Sequence, residues 1–272
     1  MTVSICRACG TAFPNAPAPP TACLICEDDR QFVPREGQSW TTPEALAASH
    51  GNVWRRHAPG LYEIRTSPAF AIGQRAFLIR TPSGNVLWDC LTLLDAATDD
   101  LVTALGGVSA IAVSHPHYYT AMADWAERFG APIYLHRSNE PWVVRPSGRI
   151  VYFEEEALPI AEGATLIRLG GHFPGGAVLH LADDGDGGAL FSGDIVQVAP
   201  GGDRVSFLYS YPNMMPLAGA TVARIADRLA EWRFERIYGA FAKRECLADG
   251  NGVVARSAAR YQGLLEGGAE QD

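Results

Sequence analysis

The sequence predicts an α/β domain behind a compact four-cysteine unit, and two observations carry this prediction. Four of the six cysteines lie within the first 26 residues as two Cys-x2-Cys pairs. From about residue 52 onward, short apolar runs typical of strands alternate with amphipathic segments typical of helices. We therefore expect three parts: the four-cysteine unit at residues 1–36, a linker or docking segment at 37–51, and the α/β domain at 52–272.

Composition and charge exclude several classes of protein. The 272 residues carry a net charge of −8, which argues against nucleic-acid binding because that affinity depends on lysine and arginine. The N-terminus lacks the basic and apolar regions of a secretion signal, and no apolar run approaches the roughly 20 residues that cross a bilayer. We expect a cytoplasmic protein with neither a nucleic-acid nor a membrane partner.

The N-terminal cysteines Cys6, Cys9, Cys23 and Cys26 have the spacing of a tetrahedral zinc site. Gly10, directly after the first pair, permits the tight turn that such a site needs. Two disulfides are disfavoured in a reducing cytosol, and a redox pair is disfavoured because no thioredoxin-like βαβ pattern surrounds it. We predict a structural zinc ribbon that docks on the main domain or shapes the mouth of its site.

In the main domain the alternation resolves into individual strands and helices. Strands are predicted at 60–64, 76–80, 85–89, 110–113, 132–135, 165–169, 177–181, 189–191 and 236–238, and helices at 98–105, 119–129 and 217–232. Because functional residues concentrate in the loops that a rigid scaffold positions, the residues directly after these strands are the first place to look for a site.

Three polar motifs each close a predicted strand. They are Ser-His-Pro-His with His115 and His117, Gly-Gly-His-Phe-Pro-Gly-Gly with His172, and Ser-Gly-Asp with Asp194. A spacing of two points both imidazoles of the first motif to the same side of an extended segment. Each motif alone is common in turns and on surfaces, but all three in this order form a recurrent metal-binding arrangement.

These motifs resemble those of the metallo-β-lactamase superfamily, whose motifs are His-x-His-x-Asp-His, Gly-His-(Thr/Ser)-Pro-Gly and a strand ending in Ser-Gly-Asp. The segment 76–89 resembles the opening hairpin of that family, and Asp89 resembles its strand-ending aspartate. The resemblance covers roughly residues 52–245 and implies an αββα sandwich.

The chain departs from the family pattern at the second metal. Tyr119 and Thr120 stand where the first motif continues with Asp-His, and Ala240 follows the strand and glycine where a late histidine is usual. The resemblance therefore implies a mononuclear site in the main domain, holding one Zn2+ or Fe2+ on His115, His117, His172 and Asp194.

By this resemblance the chain is a metal-dependent hydrolase that uses a mononuclear metal-bound hydroxide on a small-molecule substrate. An ester, thioester or lactone is favoured over a phosphodiester, because phosphoryl transfer in this superfamily generally resembles two-metal catalysis. Asp194 would be the fourth ligand or would orient the water, and Tyr118 or Tyr119 would hydrogen-bond a developing oxyanion. No organic cofactor is expected.

Two alternatives stay open at this point. Two histidines and one carboxylate also suit a non-haem iron site, so the chain could be a mononuclear iron oxygenase or redox protein. The loss of three ligands could instead leave a non-catalytic binding or scaffold protein with the ribbon as its interaction module.

Overall fold

The N-terminal cysteines lie on short elements ahead of the main domain. In the computed structural model, which describes residues 1–182 and 187–267, strand β1 (Ile5–Cys6) pairs antiparallel with β2 (Trp40–Thr41). Helix α1 (Leu24–Glu27) lies between them, and α2 (Pro43–Ala47) follows. Because β2 lies in the predicted linker, this pairing attaches the linker to the four-cysteine unit. The three domain limits stay predictions, and residue 272 lies outside the described residues.

A seven-stranded sheet follows, and its strands lie side by side in chain order. They are β3 (Gly51–Ala58), β4 (Leu61–Ser67), β5 (Arg75–Thr81), β6 (Gly84–Trp88), β7 (Ala110–Ala112), β8 (Ile133–His136) and β9 (Ile150–Phe153). Strands β3 to β6 pair antiparallel and β6 to β9 pair parallel. Parallel pairing places the carboxyl ends of β6 and β7 at the same edge of the sheet.

The second sheet has six strands, in the order β10-β11-β12-β13-β18-β19. The remaining strands in chain order are β10 (Ala157–Ala161), β11 (Ala164–Arg168), β12 (Ala177–Leu181), β13 (Ala189–Gly193), β14 (Gln197–Val198), β15 (Val205–Ser206), β16 (Leu208–Ser210), β17 (Met215–Pro216), β18 (Arg236–Gly239) and β19 (Glu245–Cys246). Strands β14 to β17 form two small hairpins between β13 and β18.

Helices cover the outer faces of both sheets. They are α3 (Ala96–Ala104), α4 (Met122–Phe129), α5 (Gly219–Ala230) and α6 (Gly250–Leu265). Buried Trp125 of α4 belongs to the core of the first sheet, and Ile225 of α5 belongs to the core of the second. Between the sheets, the rings of Phe77 and Phe191 lie 5.1 Å apart. These layers confirm the αββα sandwich. No helix in the described part of the chain is long and apolar enough to span a membrane.

Some elements differ from the prediction. Strand β3 was not predicted, because its Trp-Arg-Arg-His core lacks a strand-like apolar pattern. It lies at the edge of its sheet, where such residues are tolerated. Strands β9 and β10 and helix α6 were not predicted. Helix α4 begins at Met122 rather than at residue 119, since a short 3-10 helix at Pro116–Tyr118 precedes it.

Arg75 on β5 joins the two sheets through a buried ionic network. Its guanidinium donates to Glu63 at 2.8 Å and to Glu245, and to the backbone carbonyls of Gly239 and Arg244 at 2.9 and 3.1 Å. Burial raises the pKa of the Glu63 carboxyl, but the hydrogen bond from His57 and the charge of Arg75 outweigh burial and lower it. The network therefore holds Glu63 ionised in the interior.

Candidate metal centre

The His-x-His motif leaves the edge of the first sheet directly after β7. The backbone N–H of Ser114 donates to the Asp89 carboxylate at 2.8 Å, which fixes the start of this loop. His115 is extended, but His117 lies in the 3-10 helix, so the prediction that the whole segment is extended was wrong. Pro116 is well suited to the first position of such a turn. The two imidazoles still meet, with ring centroids 4.9 Å apart.

His172 lies on a glycine-rich turn after β11. Gly170 and Gly171 have positive φ angles of 67° and 81°, which favour glycine. A Cβ on Gly176 would lie 2.6 Å from the Ile195 side chain, so this turn also needs glycine for close packing. The Nδ1 of His172 lies 2.8 Å from the carbonyl oxygen of Tyr209, a contact that assigns the ring proton to Nδ1 and leaves the Nε2 lone pair free.

Asp194 completes the cluster at the end of β13. Its Oδ2 accepts a hydrogen bond from the Tyr118 hydroxyl at 2.8 Å and lies 3.6 Å from Nε2 of His115. The Tyr211 hydroxyl donates to the backbone carbonyl of Asp194 at 2.9 Å. Two tyrosines thus hold the position of this carboxylate.

The four side chains converge as a metal site requires. One donor atom from each of His115, His117, His172 and Asp194 lies within 4.8 Å of the others. His117 Nδ1 and His172 Nε2 are 3.3 Å apart, and two nitrogens bound to one tetrahedral zinc are also about 3.3 Å apart. On the facing side chains, the buried atoms His115 Nε2 and Asp194 Oδ1 have no hydrogen-bond partner among the described residues. A buried polar atom without a partner costs about 1–3 kcal/mol, so this donor set fits a cation.

Burial also sets the charge state of the cluster. It lowers the pKa of His172 to about 4 and the pKa values of His115 and His117 well below their usual range. The three imidazoles are therefore neutral near pH 7, which metal binding needs. Burial raises the pKa of Asp194 to about 7, although the hydrogen bond from Tyr118 lowers it.

The residues that stand in place of the second-metal ligands make other contacts. The Tyr119 hydroxyl contacts the Asn139 carbonyl at 3.5 Å, and Thr120 donates to the Tyr118 carbonyl at 3.4 Å. Ala240 is buried and accepts the Arg75 N–H through its own carbonyl at 2.8 Å. None of these three side chains belongs to the four-residue cluster. The catalytic role of Tyr119 stays a prediction, whereas Tyr118 does contact Asp194.

The four N-terminal cysteines form a second cluster with the geometry of a zinc site. All are free thiols, and their sulfurs lie within 4.8 Å of one another. The Cys6–Cys26 and Cys9–Cys23 sulfur distances are both 3.6 Å, close to the roughly 3.8 Å of a tetrahedral zinc thiolate site. A third candidate group, His57, Glu63 and Glu245, already has a cation, because Arg75 binds both carboxylates.

The four-cysteine unit docks beside the histidine cluster. The N–H of Ala12 donates to the Thr120 carbonyl at 3.0 Å, and the Trp142 indole donates to Asp28 at 3.0 Å. Arg30 of this unit contacts the loop that carries His172, with its guanidinium 4.4 Å from the centroid of Phe173. No motif marks Arg30 in the sequence, because its aromatic neighbours come from distant segments.

Comparison with known proteins identifies the family. Residues 71–233 match the model of the metallo-β-lactamase superfamily, more than half of the chain, so the chain belongs to that superfamily. It is 46% identical over 264 residues to the uncharacterized protein YmaE of Bacillus subtilis (strain 168), covering 96% of each chain.

Solved structures agree on the fold. A metallo-β-lactamase from Hirschia baltica is 16% identical with a TM-score of 0.54, covering 76% of this chain and 96% of its own. A Cronobacter sakazakii metallo-β-lactamase with a HARLDQ motif is 18% identical with a TM-score of 0.51, covering 84% of this chain and 99% of its own. Membership of this superfamily supports a metal-dependent hydrolase.

Proposed function

We propose that the chain is a hydrolase with one metal ion in its main domain, acting on an ester, thioester or lactone. The observation that carries the proposal is the convergence of His115, His117, His172 and Asp194, with unpartnered donor atoms and no further ligand from the described residues. These four side chains would hold the ion. When bound, a metal on neutral imidazoles polarises a carbonyl and supplies hydroxide near neutral pH.

The chain's own groups then handle the proton. Tyr118 donates to Oδ2 of Asp194, and Oδ1 has no partner among the residues that the structure describes. Oδ1 is therefore the atom that orients the attacking water or accepts its proton.

The single-metal ligand set supports the choice of bond. A second ion that stabilises the leaving oxygen is typical of phosphodiester cleavage, and the described residues offer no second set of ligands beside this cluster. Acyl transfer needs one electrophile and one nucleophile, which a mononuclear site supplies.

The N-terminal cluster is proposed to hold a structural zinc ion. Its four thiols are free and buried, and a reducing cytoplasm would keep them available as ligands. A cytoplasmic location is therefore part of the proposal.

An assay of the purified chain against matched ester, thioester and lactone panels tests the proposed function. We expect turnover that a chelator abolishes. One equivalent of added metal, in addition to the zinc ion of the four-cysteine unit, should restore it. Restoration by Zn2+ supports the hydrolase. Restoration only by Fe2+, together with oxygen consumption, would show the iron oxygenase instead, and absence of turnover on all three panels would contradict the proposal.

Replacing Tyr118 by phenylalanine removes the one side-chain hydrogen bond that the described residues donate to Asp194. We expect kcat to fall by about 10-fold with KM little changed, because a misoriented carboxylate affects the chemical step. Tyr119→Phe is the matched control, since the Tyr119 hydroxyl contacts Asn139 instead. Equal losses in both variants would show that neither hydroxyl acts through Asp194.

A further inference from the structure

The segment 28–31 of the four-cysteine unit lies across the loops that flank His172. The Tyr209 hydroxyl donates to Asp29 at 2.6 Å, and Ser210 donates to the Arg30 carbonyl at 3.0 Å. Asn213 donates to the carbonyls of Asp29 and Gln31 at 3.0 and 3.1 Å. These bonds position Arg30 from outside the sandwich.

The Arg30 guanidinium lies among three aromatic rings. Its central carbon is 4.4 Å from the centroid of Phe173, 4.6 Å from Tyr209 and 5.7 Å from Trp142. Phe173 in turn packs against all three cluster histidines, at centroid distances of 5.0 to 5.6 Å. One aromatic ring therefore separates the positive charge of Arg30 from the candidate metal centre.

Part of the guanidinium has no protein partner. Of the guanidinium nitrogens, only Nη1 donates to Asp28, at 2.7 and 2.8 Å. In the described part of the chain, Nε is buried without an acceptor and Nη2 donates no hydrogen bond. Arginine has five N–H donors, and the Nε and Nη2 donors form the edge that binds a carboxylate with two parallel hydrogen bonds. These two nitrogens thus lack a partner in the described part of the chain, and the side chain is 12% exposed.

We propose that Arg30 binds a carboxylate of the substrate, so that the four-cysteine unit supplies the specificity-determining residue of the neighbouring site. The proposal rests on the proposed function, and it narrows the substrate class to anionic esters, thioesters or lactones. Planar carboxylates match the guanidinium fork, and the aromatic rings around Arg30 suit an apolar or aromatic body beside the charge. Asp28 holds the guanidinium and also competes with the anion for it.

Calorimetric titration of the metal-loaded chain with benzoate and with benzamide, its neutral isostere, tests the proposal. We expect benzoate to bind at least about 10-fold more tightly than benzamide, because charge-assisted hydrogen bonds are the stronger ones. Arg30→Gln should abolish this difference. Arg35→Gln is the matched control, since Arg35 is an exposed arginine of the same unit, and it should leave benzoate affinity unchanged.

Asp28→Asn guards against a folding artefact, because it should shift affinity in the opposite direction. Removal of the competing charge should tighten benzoate binding several-fold, which loss of structure would not do. Equal affinities for benzoate and benzamide in the wild type, or unchanged benzoate affinity in Arg30→Gln at equal metal content, would overturn the proposal. Titration measures binding without turnover, so the result is readable even if the hydrolase assay fails.

Discussion

Replacing His115 by alanine is expected to lower kcat/KM by at least about 10³-fold on any substrate that the wild type hydrolyses. His115 is fully buried at the centre of the cluster, where its ring contacts those of His117 and His172. Its removal takes away one of three imidazole ligands and leaves Asp194 without its nearest ring nitrogen. The remaining side chains would bind a metal weakly and without a fixed geometry.

Steady-state kinetics with saturating metal in the assay measures this effect. His50→Ala is the control, because His50 contacts Ser49 and Phe70 and does not belong to the cluster. Retention of wild-type kcat/KM by His115→Ala would exclude the cluster as the catalytic centre.

Arg75→Met is expected to lower the free energy of unfolding by about 3–5 kcal/mol at pH 7, the usual cost of leaving a buried charge unpaired. Arg75 is 1% exposed and binds Glu63, whose side chain is 2% exposed. Arg65→Met is the matched control, since Arg65 approaches the same carboxylate from the surface at 3.4 Å with a side chain that is 49% exposed. Its loss should cost at most about 1 kcal/mol.

The pH dependence of the Arg75→Met effect follows from Glu63. In the wild type the pKa of Glu63 is lowered, so its contribution is present above the unfolded-state pKa and is lost as pH falls through the folded pKa. In Arg75→Met, the loss of that cation should leave the pKa of Glu63 higher than in the wild type, and protonation of Glu63 would relieve the cost. Urea unfolding should therefore show a gap between variant and wild type that narrows toward acid pH. A gap that is constant with pH would show that packing, not charge, explains the loss.

The sequence predicts the core of the site well because its signals are local. His115, His172 and Asp194 each close a strand with a strong apolar pattern, so their motifs identify both the strand end and the ligand. The four cysteines are also close in sequence, and their spacing alone predicts the cluster that the structure shows.

Features that depend on how distant segments pack together cannot be predicted from the sequence alone. Strand β3 carries charged residues because it lies at a sheet edge, and that location is not visible in the residues themselves. The aromatic rings around Arg30 belong to Trp142, Phe173 and Tyr209, which are more than 100 residues further along the sequence. The hydroxyl of Tyr118 reaches Asp194 only through the 3-10 helix, which the pattern did not predict.

The central claim is that four converging side chains of the main domain bind one metal ion, separate from the ion of the four-cysteine unit. Measuring the metal content per chain tests this claim most directly. Elemental analysis should find two ions in the wild type, one in His115→Ala and one in the Cys6→Ser/Cys9→Ser double variant. The claim would be contradicted if the wild type held a single ion, and if His115→Ala kept that ion while the double cysteine variant lost it.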